Sequence, residues 1–466
     1  MIKTLLAIIA LILVLVSPAF AGDIQESTDN FGPFGTLHIY KEVEQPKHVV
    51  LFISGDGGWN LGVIDMAKSL VDLGSMVVGI DITHYIKQLN ASNEKCSYSA
   101  AHFEALSQNL QKKYNFSQYM PPVLVGYSSG ATLVYATLAQ SPPNTFAGGI
   151  SMGFCPDLKT VKPLCKGNGT LSSSPDPKLG FVYDPVNALL SKLYVLQGDA
   201  DQVCSTPATK TFLSKIKNTE LIELKKVGHG FSVQKNWMPQ FKDAFQKITA
   251  AQQPQAATAH ISNELDDLPL IELPAGNSNH TLAVIISGDG GWANIDKQVA
   301  ETLNKDGIAI VGLNSLQYFW KKKDPDTAGK DLTRILDYYS KAWGAEQFIL
   351  IGYSTGADTL PFMVSRLPKA LKSKVHTVAL LGMGEEANFE FHVSDWLLDS
   401  NGLYKAVPEA QKLKGMNVLC IYGEDETDSA CRLLDKGDFN IIDMKGGHHF
   451  AGDYEKLAKI ILQKSK

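Results

Sequence analysis

The pentapeptide GDGGW occurs twice, at residues 55–59 after the apolar run HVVLFIS and at 288–292 after LAVIIS. This recurrence constrains the chain more than any other feature, because the segments downstream of each copy recur in the same order. Behind the first come helical IDMAKSLVDLG, strand-like MVVGID, helical AHFEALSQNLQKKY, strand-like PVLVGYS and then FAGGISM. Behind the second come helical IDKQVAETLNKDG, strand-like IAIVGLN, helical GKDLTRILDYYSKAW, strand-like FILIGYS and then HTVALLGM. Uniformly apolar strands alternating with amphipathic helices predict an α/β fold, a mostly parallel sheet with helices on both faces. The chain therefore reads as a tandem duplication of one α/β unit.

Length and composition agree with this. The 466 residues, 44% hydrophobic and 20% charged, suffice for two ordinary folded domains. Between them the stretch ITAAQQPQAATAHISNELDDLP lacks a sustained apolar period and reads as a linker. The expected division is a first domain over 22–248, a linker over 249–268 and a second domain over 269–466. The formal net charge of −5, with no basic stripe, excludes nucleic acid as a partner. No cofactor and no metal is expected.

Residues 1–21 carry Lys3, an apolar core from Leu5 to Val16, Pro18 and then Ala19-Phe20-Ala21. That order predicts a secretory signal cleaved after Ala21, the alternative being a retained membrane anchor. The apolar core is shorter than the roughly 20 residues a span needs. Export to an oxidising compartment makes disulfides plausible for the six cysteines, four in the first half and two in the second. Cys155 with Cys165, and Cys420 with Cys431, are the short-loop pairings expected.

The chemistry lies in G-x-S-x-G, present as Gly126-Tyr127-Ser128-Ser129-Gly130 and Gly352-Tyr353-Ser354-Thr355-Gly356. Between a strand and a helix, this string forms the nucleophile elbow, a sharp turn that presents the serine hydroxyl at the sheet edge. A serine nucleophile needs a base, and the base an orienting acid. In the first half LYVLQG leads to Asp201 and LIELKKVG to His229; in the second NVLCIYG leads to Glu426 and FNIIDMKGG to His448. Serine, acid, histidine is the chain order of the α/β-hydrolase fold. Asp425 and Asp428 compete with Glu426, and His449 with His448. GDGGW sits where that fold places a donor for the oxyanion, so Gly57-Gly58 and Gly290-Gly291 are candidate donors together with the amides of Ser129 and Thr355. Trp59 and Trp292 are expected to pack beneath the loop.

At GDGGW, GYSTGAD, GGHHF and Leu316-Gln317-Tyr318-Phe319-Trp320 the second half resembles the VirJ family of bacterial virulence proteins, and the duplicated arrangement is similar to its AcvB-type members. The resemblance covers roughly residues 270–466. It implies a periplasmic serine hydrolase that releases the amino acid from aminoacyl-phosphatidylglycerol, chiefly the lysyl lipid, with Ser354 as nucleophile and His448 as base. Its partners would be that lipid at a membrane surface and, in a competing non-enzymatic role, a secretion apparatus or exported proteins; a generic exported esterase is a third possibility. Asp358, with Asp289 and Asp296, would offer negative charge to a cationic aminoacyl head, whereas Leu133 stands near the corresponding place in the first half. The second half is thus expected to be the catalyst, and the first either a second hydrolase or a lid or binding module.

Overall fold

A computed structural model describes residues 23–167, 171–252, 264–276, 279–391 and 403–465. The signal segment lies outside the described residues, as does most of the linker. Among the described residues no helix is long and apolar enough to cross a membrane.

The first sheet is built from β1 (Gln25–Phe31), β2 (Gly35–Lys41), β3 (His48–Ile53), β4 (Ser75–Ile80), β5 (Val123–Tyr127), β6 (Gly148–Met152) and, beyond an insertion carrying β7 (Asp157–Leu158), β8 (Ser173–Asp176) and β9 (Gly180–Tyr183), from β10 (Ala188–Gly198) and β11 (Lys217–Leu224). Its order is β1-β2-β4-β3-β5-β6-β10-β11, antiparallel at the β1-β2-β4 edge and parallel elsewhere. The second sheet contains β12 (Leu270–Leu273), β13 (Thr281–Ile286), β14 (Ala309–Leu313), β15 (Gln347–Tyr353), β16 (Val375–Leu381) and, beyond the short pair β17 (Glu386–Ala387) and β18 (Tyr404–Lys405), β19 (Val418–Gly423) and β20 (Asn440–Met444). Its order, β12-β14-β13-β15-β16-β19-β20, repeats the first sheet without β1. Central strands such as β4 and β14 are buried throughout their length, because helices cover both faces and leave an apolar core on each side. Both halves are α/β-hydrolase-like.

The GDGGW tryptophans lie against the sheet. A Cβ placed on Gly79 of β4 would fall 2.1 Å from the Trp59 ring, and one on Gly312 of β14 2.3 Å from Trp292. Glycine in these strands is therefore a requirement of the indole and not a weakness of the strand.

Three expectations need correction. Cys165 pairs with Cys96, and Cys155 with Cys204; only Cys420–Cys431 is the expected short loop. Proximity along the chain misleads here because the sheet brings the end of β10 beside the end of β6. The helix Met238–Gln252 runs past the expected linker start and buries Thr249. Leu265 and Leu268, assigned to the linker, are buried in the second core, and Asp267 pairs with Arg334 at 2.6 Å.

The halves also meet. The Trp320 indole donates to the Phe116 carbonyl at 2.9 Å, its ring lies 5.3 Å from that of Tyr119, and Lys112 reaches the Trp320 carbonyl and Glu390. Asn144 donates to the Trp292 carbonyl at 2.8 Å. Leu316, Trp320, Phe391 and Tyr119 form one apolar cluster across this joint. The segment LQYFW thus serves as the seam between the halves.

Replacing Gly312 with alanine is expected to lower the unfolding free energy by roughly the 1–3 kcal/mol of an overpacked core, seen as a lower urea midpoint, since the indole must leave its place. An unchanged midpoint would show that Trp292 does not depend on that contact.

Candidate active site

Ser128 and Ser354 each stand between a strand and a helix with nearly the same backbone, φ 55° and ψ −120° for one, φ 52° and ψ −122° for the other. A positive φ on a serine costs about 1–3 kcal/mol and persists only where its surroundings impose it. They do so here through crossing backbone: a Cβ on Gly126 would lie 2.1 Å from the Gly130 carbonyl oxygen, and on Gly352 2.3 Å from that of Gly356. The Ser128 amide donates to Met152 at 2.8 Å and the Ser354 amide to Leu381 at 2.9 Å. Each hydroxyl therefore stands on a rigid turn.

In the first half three side chains join in a continuous relay. Ser128 Oγ lies 3.0 Å from His229 Nε2, and His229 Nδ1 lies 2.9 Å from Asp201 Oδ2. The Asp201 carboxylate is fully buried and receives the amides of Val203 and Cys204 and the Gln197 amide group, at 2.9, 2.8 and 3.1 Å. Three donors hold a buried carboxyl group in one orientation.

In the second half Glu426 takes the acid's place. Its Oε1 lies 2.5 Å from His448 Nδ1, and its Oε2 accepts from the Gly423 amide at 2.6 Å. Although burial opposes ionisation, these bonds and the charge of His448 hold the Glu426 carboxyl below its ordinary range. The hydrogen bond to Glu426 raises His448 above the ordinary imidazole value. Neither Asp425 nor Asp428 makes this contact. His449 instead points its Nδ1 at the Tyr353 hydroxyl, 2.9 Å away, and burial lowers its pKa. Ser354 Oγ makes no hydrogen bond to His448 among the described residues. The His448 side chain is also more open, 40% exposed against 17% for His229.

The GDGGW loops close on themselves, Gly58 donating to Gly55 at 2.9 Å and Gly291 to Gly288 at 3.0 Å. These two amides are engaged in the turn, which removes Gly58 and Gly291 from the candidate oxyanion donors and leaves Gly57 and Gly290 with the helix-initiating amides of Ser129 and Thr355. Asp56 accepts from the Ser129 hydroxyl at 2.5 Å.

The expected carboxylates of the second site separate by role. Asp358 accepts from the Gly384 amide at 2.7 Å; burial raises its pKa to about 7, against the favourable charge of His448, and Asp289 adds to the rise. Asp289 also acts electrostatically on His448. Asp296 is different: fully buried at a helix start, it accepts from the Ala293 amide at 3.0 Å and so caps that helix. The first-half counterpart of Asp358 is Thr132, not Leu133, since both lie four residues beyond the nucleophile; Thr132 Oγ1 donates to the Cys155 carbonyl at 2.5 Å, while Leu133 is core.

Several positioning residues carry no motif of their own. Tyr127 donates to the carbonyl of His229 at 3.0 Å and Tyr353 to that of His448 at 3.3 Å, so the residue before each nucleophile steadies the base loop. Its repetition in GYS is the signal that points to it. Gln197 binds Asp201, Cys204 and Phe154 together, with no counterpart in the second half, where Tyr422 occupies the place. Glu104 of the first half lies in the field of Asp289, and burial first, then that charge, push its pKa up to about 7. Asp201, Cys204 and His229 have ligand atoms near one another, but the Cys204 sulfur is bonded to Cys155 and is no metal ligand in this state.

A family model described as bacterial virulence protein (VirJ) matches residues 47–149 and 280–466, more than half of the chain. No curated protein matches it. Among solved structures, Est1E from Butyrivibrio proteoclasticus is similar at 12% identity and a TM-score of 0.33, with 48% of this chain and 99% of that chain covered. XC6422 from Xanthomonas campestris, described as a member of the a/b serine hydrolases without lid, has 19% identity and a TM-score of 0.32 over 51% and 99%. A putative α/β hydrolase from Agrobacterium tumefaciens, ATU1826, has 15% identity and a TM-score of 0.34 over 50% and 100%. With its two GDGGW loops and two elbows in matching sheets, the chain belongs to the VirJ family of bacterial virulence proteins.

Proposed function

We propose that the second half is a serine esterase that cleaves the aminoacyl ester of aminoacyl-phosphatidylglycerol, releasing the amino acid and regenerating phosphatidylglycerol. Ser354 attacks the ester carbonyl while His448 accepts its proton, Glu426 orients the imidazole and stabilises the imidazolium, and the amides of Gly290 and Thr355 receive the oxyanion. His448 returns the proton to the departing lipid hydroxyl; water then resolves the acyl-enzyme by the same steps in reverse.

The observation that carries the substrate class is the Asp358 carboxylate, one helical turn from the nucleophile and within the field of His448. An α-ammonium or lysyl ammonium bound there would return to a buried carboxylate the charge that burial discourages. Asp289 in the oxyanion loop adds to the same field. Location fits the proposal: all six cysteines are paired, as in an oxidising compartment such as the periplasm, where the lipid is at hand. On this reading residues 1–21 are the export signal and the virulence association reflects control of membrane charge.

Purified mature protein with lysyl-phosphatidylglycerol vesicles tests the assignment. Ser354→Ala is expected to lower lysine release by about 10³-fold or more, through kcat rather than KM. Full release by this variant would overturn the choice of half.

Made in the Ser128→Ala protein, so that only the second half is read, Asp358→Asn is expected to raise KM for the lysyl lipid by roughly 10- to 100-fold, as loss of a charge-assisted contact of about 1.5–3 kcal/mol predicts, and to leave hydrolysis of an uncharged ester little changed. Equal effects on both esters would remove Asp358 from headgroup recognition.

The pH profile is set by the two raised pKa values. His448 is a base only when neutral, so kcat/KM climbs as pH rises through its elevated pKa, and Asp358 holds a cation only when ionised, which is above about 7. Both changes act in the same direction. In the Ser128→Ala protein the acid limb should therefore be steeper for the lysyl ester than for an uncharged ester, and adding Asp358→Asn should make the two slopes alike. Parallel limbs in the Ser128→Ala protein would contradict the ionic role.

A further inference from the structure

The first half holds a complete relay that the proposed reaction does not use. Its wall differs from that of the second site at one register position. Four residues after the nucleophile, Thr132 donates a hydroxyl to the Cys155 carbonyl, where Asp358 accepts an amide from Gly384. The same turn is thus held with opposite hydrogen-bond polarity, and the first site gains no charge from it. Asp56, the carboxylate in its oxyanion loop, is engaged by the Ser129 hydroxyl.

Apolar and covalent features flank the acid and the base of this half. Cys155, at the end of the wall, is bonded to Cys204, whose amide binds the acid Asp201. Between the acid and Cys204 stands Val203, 68% exposed, and four residues beyond His229 stands Val233, 46% exposed. The insertion after Cys155 forms the antiparallel sheet β7-β9-β8, tied back by Cys96–Cys165. Asp157 of this insertion is pushed towards its neutral form, by burial first and then by Asp56 and Asp176.

We propose that Ser128, His229 and Asp201 form a second, independent ester-hydrolysing centre whose acyl site takes an uncharged acyl group. Its activity stands on its own geometry; only the contrast in substrate charge rests on the function proposed for the second half. In the reaction Ser128 Oγ bonds to the carbonyl carbon as its proton passes to His229 Nε2, and the carbon–oxygen bond to the alcohol breaks as the alcohol takes that proton. Water then attacks the acyl-enzyme, giving its proton to His229, and the carboxylic acid leaves as Ser128 regains its hydrogen. No other reactant is required.

A fluorophosphonate, which phosphonylates activated serines, counts the centres by intact mass. The wild type is expected to take two groups, Ser354→Ala one on Ser128, Ser128→Ala one on Ser354, and the double variant none. On 4-nitrophenyl butyrate, Ser354→Ala should remain active, and adding Ser128→Ala to it should lower that remaining activity about 10³-fold. Ser354→Ala that is both unlabelled and inactive on this ester would overturn the proposal. Ser354→Ala that hydrolyses a lysine 4-nitrophenyl ester faster than the butyrate would overturn its acyl class. Failure of the wild type on lysyl-phosphatidylglycerol, with Ser128 still labelled, would count against the second-half function alone.

Discussion

Everything in this protein that resembles chemistry depends on a backbone turn that serine does not choose. At residues 128 and 354 the chain enters the left-handed region, and it stays there because the glycines on either side let a strand and a helix cross within van der Waals contact. The turn aims one hydroxyl out of the sheet and frees the first helical amide to face the same point. Strand order does the rest. With β10 and β11, or β19 and β20, parallel to the elbow strand and beyond β6 or β16, the loops carrying acid and base emerge at the same sheet edge. A parallel sheet thus brings residues a hundred positions apart within 3 Å, as between Ser128 and His229.

What could be seen in the residue order was whatever has a short period or a fixed place. Apolar runs gave the strands, GDGGW and G-x-S-x-G gave the loops, and the repeat chose Glu426 and His448 from their neighbours by alignment with Asp201 and His229. The disulfides obey a different rule, since Cys204 meets Cys155 through the lateral order of strands, which local spacing does not encode. The linker ended sooner on both sides because helical continuation and two buried leucines outweigh a polar composition. Thr132 and Leu133 differ by one place, and one place on a helix is about 100° of rotation, enough to exchange a residue that bonds the Cys155 carbonyl for a core residue. Gln197 and Glu104 belong to no pattern and become visible only through their partners.

Duplication has kept the frame and changed the environment. An aspartate with three donors in the first half faces a glutamate with a single amide and a more open imidazole in the second. A threonine hydroxyl in one wall faces a carboxylate in the other. Such changes leave the sheet untouched, because they fall on loops and on the first turn of a helix, where a new side chain alters the local field without disturbing a strand pairing.

The seam at Trp320 has a further implication. Its indole and the Tyr119 ring belong to different halves yet share one cluster, so neither half has a complete surface by itself. Heat or denaturant that loosens one half bares sticky aromatic area on its neighbour as well. Aggregation on unfolding is then a property of the whole chain, whichever half gives way first.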